Sequence, residues 1–595
     1  MIRLKKRVLL FFLLLCTVSF AADPQRVIYS ASGGRVKSLD PAYADDLASR
    51  NLLGAVYDTL LEYDYDQRPY QLKPAMLIKM PEFSPDGMTC RFELRSDLYF
   101  ADDPVFKGKK VKVTSRDVLF SILRIADARN HSPLYWLYRG KIRGLERFRQ
   151  ESAKLPKGDN SIYDRGISGF VIHSDSRFDI HFTRRESRFL YMLAMPNAGI
   201  VSRQAAEHYQ ERYARHPAGS GAFVLKEWIN DFRIILERNP DYRRETYPNA
   251  ESPADRSRPL PLADRIEIRL IKQPMTSWLL FLQGNLDFHA LDKDNADLAG
   301  SGSLPPVLAK RRIKLLRIPE FEIRYVGFNF SDPVLGKNLK LRQALSLAYN
   351  VPLRVEHSGN QLIPVSGPLP PGVPGYAKDL FNPWANYNLV LAKQLLAEAG
   401  YPGGIDPATG KPLQLTFDQT GNTPVYRQLG ELAAADFAKL GIEVIPVLNN
   451  NPRFYEKLRQ GKMQLFRLSW IGDYPDAENF LQLFYSGNRG VCNRTGFGDP
   501  RTDELYRRIA SMPDSPEREK LCREMSGLIV QNCVWIYEGI PVSWQLQHCW
   551  LENYRVHDFA FARWKYLSVD PEKRRKMKQT FTPAGFRELN RRSEK

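Results

Sequence analysis

"QLGELAAADFAKLGIEVIPVL" occupies residues 428–448. Leu429, Leu432, Ala433, Phe437 and Leu440 fall on one face at helical spacing, and Gly441 supplies a stop. "IEVIPVL" then reads as a strand. A helix joined to a strand by so short a connection predicts an α/β layered fold. Just upstream, "NLVLAKQLLAEAG" repeats the helical pattern through Leu389, Ala392, Leu395, Leu396 and Ala399. Asn388 is placed to cap it and Gly400 to end it.

The first half alternates more often at strand period. In "TCRFELRSDLYF", Cys90, Phe92 and Leu94 face one way while Arg91, Glu93 and Arg95 face the other. "FRIILERN" and "DRIEIRL" are read the same way, with Ile266, Ile268 and Leu270 as a half-buried row. "TSRDVLFSILRIA" opens with Thr114 and Asp117 at capping-box spacing and predicts a helix. Two Pro/Gly-rich loops, 248–265 and 364–376, are too short for disordered linkers. No internal repeat is visible. A length of 595 residues suggests about four domains.

The beginning of the chain reads as an export signal. "MIRLKKRVLLFFLLLCTVSFAAD" has a basic start, an apolar run from Val8 to Phe20, and Ser19-Phe20-Ala21 at a small-x-small site. Cleavage is expected after Ala21. The apolar run is short of the ~20 residues that span a bilayer. Leu15 precedes Cys16 where lipoprotein processing wants a small residue, which argues against a lipid anchor. The expected location is therefore periplasmic or exported.

The formal charge is +19, four units of which belong to that leader. Export argues against nucleic acid as the partner of this basic balance. The remaining bases are spread out except in "EKRRKMK" and "NRRSEK", so a solvated surface competes with a dedicated anion site. Beyond Cys16 there are five cysteines, Cys90, Cys492, Cys522, Cys533 and Cys549. Up to two disulfides are open to them, with no pairing fixed by sequence. No C-x-x-C occurs.

The order of blocks along the chain resembles a known family, the periplasmic oligopeptide- and dipeptide-binding proteins, the family 5 solute-binding components of ABC importers. The blocks are "SLDPAYADDLASRNLLGAVYDTLLEYD" (38–64), "LKPAMLIKMPEFSPDGMTCRFELRSDLYF" (72–100), "TSRDVLFSILRIAD" (114–127) and "GSGAFVLKEWINDFRIILERNPDY" (219–242). They continue with "RYVGFNFSDPVLGKNLKLRQALSLAYN" (324–350), "AKQLLAEAGY" (392–401) and "WIGDYPDAENFL" (470–481). The resemblance covers nearly the whole chain after the leader. It implies a two-lobed α/β clamp with mixed sheets, flanking helices and an inserted extra domain. The boundaries it suggests are lobe I at 22–62, 200–322 and 541–595, the insert at 63–199, and lobe II at 323–540.

The resemblance also implies a function: capture of short peptides with a free amino terminus, and delivery to an inner-membrane permease by a monomeric protein without cofactor or metal. Asp473, in the motif with Trp470, Gly472 and Tyr474, would pair with the ligand's ammonium. A carboxylate in a water-excluded cleft needs a cation, so Asp473 is expected to stay bare and hydrated until ligand arrives. The competing reading pairs it internally with a Lys or Arg. Trp470 either lines the pocket or packs in the core. Arg467 either meets a ligand carboxylate bidentately or forms a structural ion pair. Arg459 lies one position from a second family arginine, where this chain has Leu458. Tyr135 lies beside Leu134, which stands where the family has a ligand-touching Tyr. Ile471 occupies the place of a family disulfide cysteine. The loop 44–49, with Asp46 and Leu47, would pair its backbone with an extended peptide, or is an ordinary turn.

Other classes fit less well. There is no H-E-x-x-H and no G-x-S-x-G, and only nine histidines occur. "GGIDPATGKP" has the wrong spacing for a phosphate loop, with Pro412 where Ser or Thr is required. A secreted hydrolase therefore has no motif in its favour. The same fold could instead take nickel, haem, an oligosaccharide or a cell-wall peptide, or serve as a surface receptor without import.

Overall fold

The computed structural model describes residues 25–582 except 292–294, 296–297 and 299–303. The leader read in residues 1–21 and the final "NRRSEK" lie outside the described residues. Among the described residues, no helix is long and apolar enough to cross a membrane.

Three sheets organise the chain. The first joins Val27–Ser32, Phe223–Ile229, Arg233–Arg238 and Arg265–Leu270, with Val27–Ser32 parallel to Arg265–Leu270 and the other pairs antiparallel. Ile266 and Ile268 are buried, as their alternation predicts, and Leu270 is half-buried. Arg233–Arg238 does not alternate: Ile234, Ile235 and Leu236 are all buried. It is an inner strand of its sheet, and a strand covered on both faces shows an apolar run in place of an alternation.

The second small sheet joins Glu82–Phe83, Thr89–Glu93, Phe170–Ile172 and Arg177–His181. Here the alternation holds: Cys90, Phe92 and Leu94 are buried, and Phe92 stacks on Phe178 at 4.9 Å. The helix Ser115–Ala126 packs nearby, with the capping box of Thr114 and Asp117 formed. Each fully buried side chain of this size contributes about 1.5–3 kcal/mol of transfer free energy.

The third sheet is mixed and has eight strands. Its long strand Trp535–Gln547 pairs with Glu322–Phe328 near its start and with Lys314–Pro319 further on. Lys314–Pro319 and Glu322–Phe328 thus follow one another along this long strand, interrupted at Glu320 and Phe321. Glu322–Phe328 also pairs with Leu465–Ile471, which lies parallel to Gln414–Gln419; that strand lies parallel to Glu443–Leu448. Helix Pro424–Ala438 and strand Glu443–Leu448 are the helix–strand unit from which the α/β reading began. Helix Leu389–Glu398 is capped by Asn388, whose side chain accepts the N–H of Leu391. Gly400 and Gly441 adopt positive φ (94° and 81°) beyond their helices, a conformation that favours glycine.

All five described cysteines are free thiols, and four of them are buried. The loop 248–265 is ordered, with Leu260 and Leu262 in a core cluster beside Tyr65 and Tyr566. Buried charges tie segments distant in sequence together. Lys565 Nζ lies 2.8 Å from Glu62 and 2.8 Å from Glu245, while Arg243 contacts Asp58 and Glu245. The basic stretch "EKRRKMK" lies within the helix Pro571–Gln579, where Arg574 pairs with Asp287 at 2.8 Å.

Candidate functional site

Strand Leu465–Ile471 ends in a short turn that leads into helix Ala477–Leu481, capped by Asp476. Asp473 sits in that turn. Asn479, fully buried, fixes it: its Oδ1 accepts the backbone N–H of Asp473 at 3.0 Å and the Trp470 indole N–H at 3.0 Å. Trp470 is thus half-buried packing that helps hold the turn. Gly472 is needed for closeness: a Cβ there would lie 2.3 Å from the ring of Phe321. Its N–H donates to the Phe321 carbonyl at 2.8 Å, tying the turn to the break before strand Glu322–Phe328.

Opposite this turn stand the helix Leu47–Val56 and the segment 188–191. Asp46 caps helix Leu47–Val56, accepting the N–H of Ser49 at 2.8 Å. One turn into that helix, Arg50 reaches across and donates from Nη1 to Asp473 Oδ1 at 3.1 Å; both side chains are 15% exposed. The expectation of a bare Asp473 is therefore corrected. The chain's own guanidinium stands on this carboxylate, because the fold brings a helix 423 residues earlier in sequence against it. Burial raises the Asp473 carboxyl above its ordinary value, and Arg50 works against that shift.

Three residues on, Asp476 is locked. Arg518 donates to it at 2.6 and 3.1 Å, and Arg188 from the opposite face brings Nε to 3.0 Å while its Nη2 reaches Asp514 at 2.6 Å. Tyr474 is buried, stacks on Tyr191 at 5.8 Å with the rings 2° from parallel, and donates its hydroxyl to Glu478 at 2.5 Å. Phe321 meets Phe559 edge-on at 5.0 Å. The segment 473–476 thus meets both the helix Leu47–Val56 and the segment 188–191.

Other expected positions lie elsewhere. Arg467 takes the structural reading: its Nε donates to both oxygens of Glu538 at 2.9 and 2.8 Å, and the Tyr349 hydroxyl donates to the same carboxylate at 2.5 Å. Burial opposes ionisation of Glu538, but Arg467 and Tyr349 outweigh it and hold the carboxyl below its ordinary value. A ligand carboxylate would have to compete with that built-in acceptor. Arg459 is exposed at the end of helix Asn451–Arg459 and pairs with Glu456. Tyr135 lies under the Arg149 guanidinium, 4.2 Å from its ring centroid. Leu47 begins its helix and is half exposed, and the turn at 44–46 holds Asn197, whose amide donates to the Ala44 carbonyl at 2.8 Å.

Sequence reading missed Arg50, Arg188 and Asp476. Arg50 carries one signal in hindsight: it is a cation in the otherwise uncharged helix "LASRNLLGAV". The described residues contain no group of three or more His, Cys, Asp or Glu side chains placed to hold a metal ion.

Comparison with known proteins fits this architecture. The chain is similar to heme-binding protein A of Haemophilus influenzae, 25% identical over 523 residues that cover 87% of each chain. It is similar to the periplasmic oligopeptide-binding protein OppA of Salmonella typhimurium, 25% identical over 548 residues covering 90% of this chain and 91% of that one. Among solved structures it resembles the ABC transporter-associated periplasmic binding protein DppA of Helicobacter pylori in complex with peptide STSA. The TM-score is 0.72 at 22% identity, over 92% of this chain and 99% of that one. These likenesses show the two-lobed clamp with mixed sheets and flanking helices. Residues 71–491 match the description "Bacterial extracellular solute-binding proteins, family 5 Middle", and the chain belongs to that family.

Proposed function

We propose that this protein is the substrate-binding component of an ABC importer, which captures short peptides by closing its two lobes and presents them to a membrane permease. One observation carries the reading: in a chain of this family, the partly exposed carboxylate of Asp473 stands at the face where the lobes meet. Similarity to an oligopeptide-binding protein, and to a fold solved with a peptide, supports the ligand class. In this reading the protein acts by binding alone, as an exported monomer whose leader is cleaved after Ala21. The lobes follow the boundaries drawn from the sequence, with the second at residues 323–540.

Asp473 would still receive the ligand's ammonium. Arg50 donates to it through one hydrogen bond, and a carboxylate accepts about four. Closure around ligand is then a population shift driven by contacts made only in the closed state. The test is calorimetry with free and N-acetylated tripeptides. Loss of the ammonium removes a partner from a desolvated pair, so acetylation should weaken binding by about a hundredfold or more. Equal affinity for both forms would show that Asp473 has no such role.

A further inference from the structure

The Arg50–Asp473 contact is an incomplete ion pair. A guanidinium can meet a carboxylate through a two-pronged fork, yet here only Nη1 reaches Asp473, and only at Oδ1. The Arg50 Nε–H is buried and meets no acceptor among the described residues. The Phe561 ring lies beneath the guanidinium at 5.4 Å and offers no anion. Solvent reaches the flanks of the contact: Leu47, one turn before Arg50, is 50% exposed, and Ile471, two residues before Asp473, is 47% exposed.

An ammonium placed on Asp473 alone changes the balance of charge. Two cations then share one carboxylate, and Arg50 is left under-neutralised in a partly desolvated place. An anion carried by the ligand close to its amine restores the balance. The four groups would then alternate in sign, Asp473 to ammonium to ligand carboxylate to Arg50, and the unused Arg50 N–H would gain an acceptor. We infer that Arg50 is a specificity-determining residue that selects ligands bearing a carboxylate near their free amino group, as in peptides that begin with an acidic residue. The inference rests on the peptide-capture reading above and names the ligand class of that same site.

The experiment measures binding of Glu-Ala-Ala and Gln-Ala-Ala by calorimetry to the purified protein, stripped of ligand by unfolding and refolding. The same measurement is made on Arg50→Gln and Arg50→Lys. A charge-assisted hydrogen bond to Arg50 should make the acidic peptide bind about tenfold tighter or more to the natural protein. The preference should vanish in Arg50→Gln and survive in part in Arg50→Lys, which a purely architectural role of Arg50 would not produce. Equal affinities for the two peptides, or an undiminished preference in Arg50→Gln, overturn the assignment and leave peptide capture standing. Binding of neither peptide overturns both.

Discussion

Arg467 decides whether an arginine in this lobe belongs to the ligand or to the fold, and Glu538→Gln puts the question directly. Glu538 is 1% exposed and receives three charged or polar donors: Arg467 Nε to both oxygens, Arg467 Nη2 at 2.8 Å, and the Tyr349 hydroxyl. Removing one member of a buried pair costs about 3–5 kcal/mol, because the other charge stays buried and uncompensated. Glutamine keeps the shape and one acceptor oxygen, so the expected loss lies toward the lower end, about 3 kcal/mol. The assay is urea unfolding at pH 7 followed by intrinsic fluorescence: the midpoint should fall while the slope is unchanged. The pH dependence has a defined sign. Glu538 has a folded value below its ordinary one, so its contribution is present above the ordinary carboxylate range and is lost as pH falls through the depressed value. The gap between natural protein and variant should therefore close in acid. Arg467→Met combined with Glu538→Gln should cost less than the sum of the two single changes, since the pair is then removed whole. A midpoint unmoved by Glu538→Gln, together with lost ligand affinity in Arg467→Met, would refute the structural role.

Two further outcomes follow from the same geometry. Arg188→Ala removes one of the contacts across the closed clamp but leaves Arg518 on Asp476; the closed state should lose about 1–2 kcal/mol, five- to thirtyfold in its population, read by fluorescence transfer between labels on the two lobes, and an unchanged ratio would count against the lock. Asp58 has its carboxyl raised to about 6 by burial, against the pull of Arg243 and Lys565. A raised value means stability present below the ordinary carboxylate range and lost as pH rises through about 6. Asp58→Asn should escape that loss and gain stability relative to the natural protein between pH 4 and 7, by a few kcal/mol at most, read as a rise in melting temperature. A difference that stays constant across this range would remove Asp58 from the account.

Much of the local structure was legible because it depends on neighbours in sequence. The Thr114–Asp117 box, the Asn388 cap and the Cys90–Phe92–Leu94 alternation each involve residues within a few positions of one another, and all three form. The family, too, was visible in the order of its blocks. The strand at 233–238 was misread because burial on its second face comes from elements far along the chain, which a period-two pattern does not contain.

The sequence by itself determined the α/β layering and the positions of caps and stops, and it singled out Asp473 through the motif it shares with the family. Only the tertiary structure decided which charges meet. Arg50 finds Asp473 across 423 residues and Arg467 finds Glu538 across 71. Coulombic partnership depends on distance in space and on removal from water, and neither is encoded in the spacing of residues along the chain.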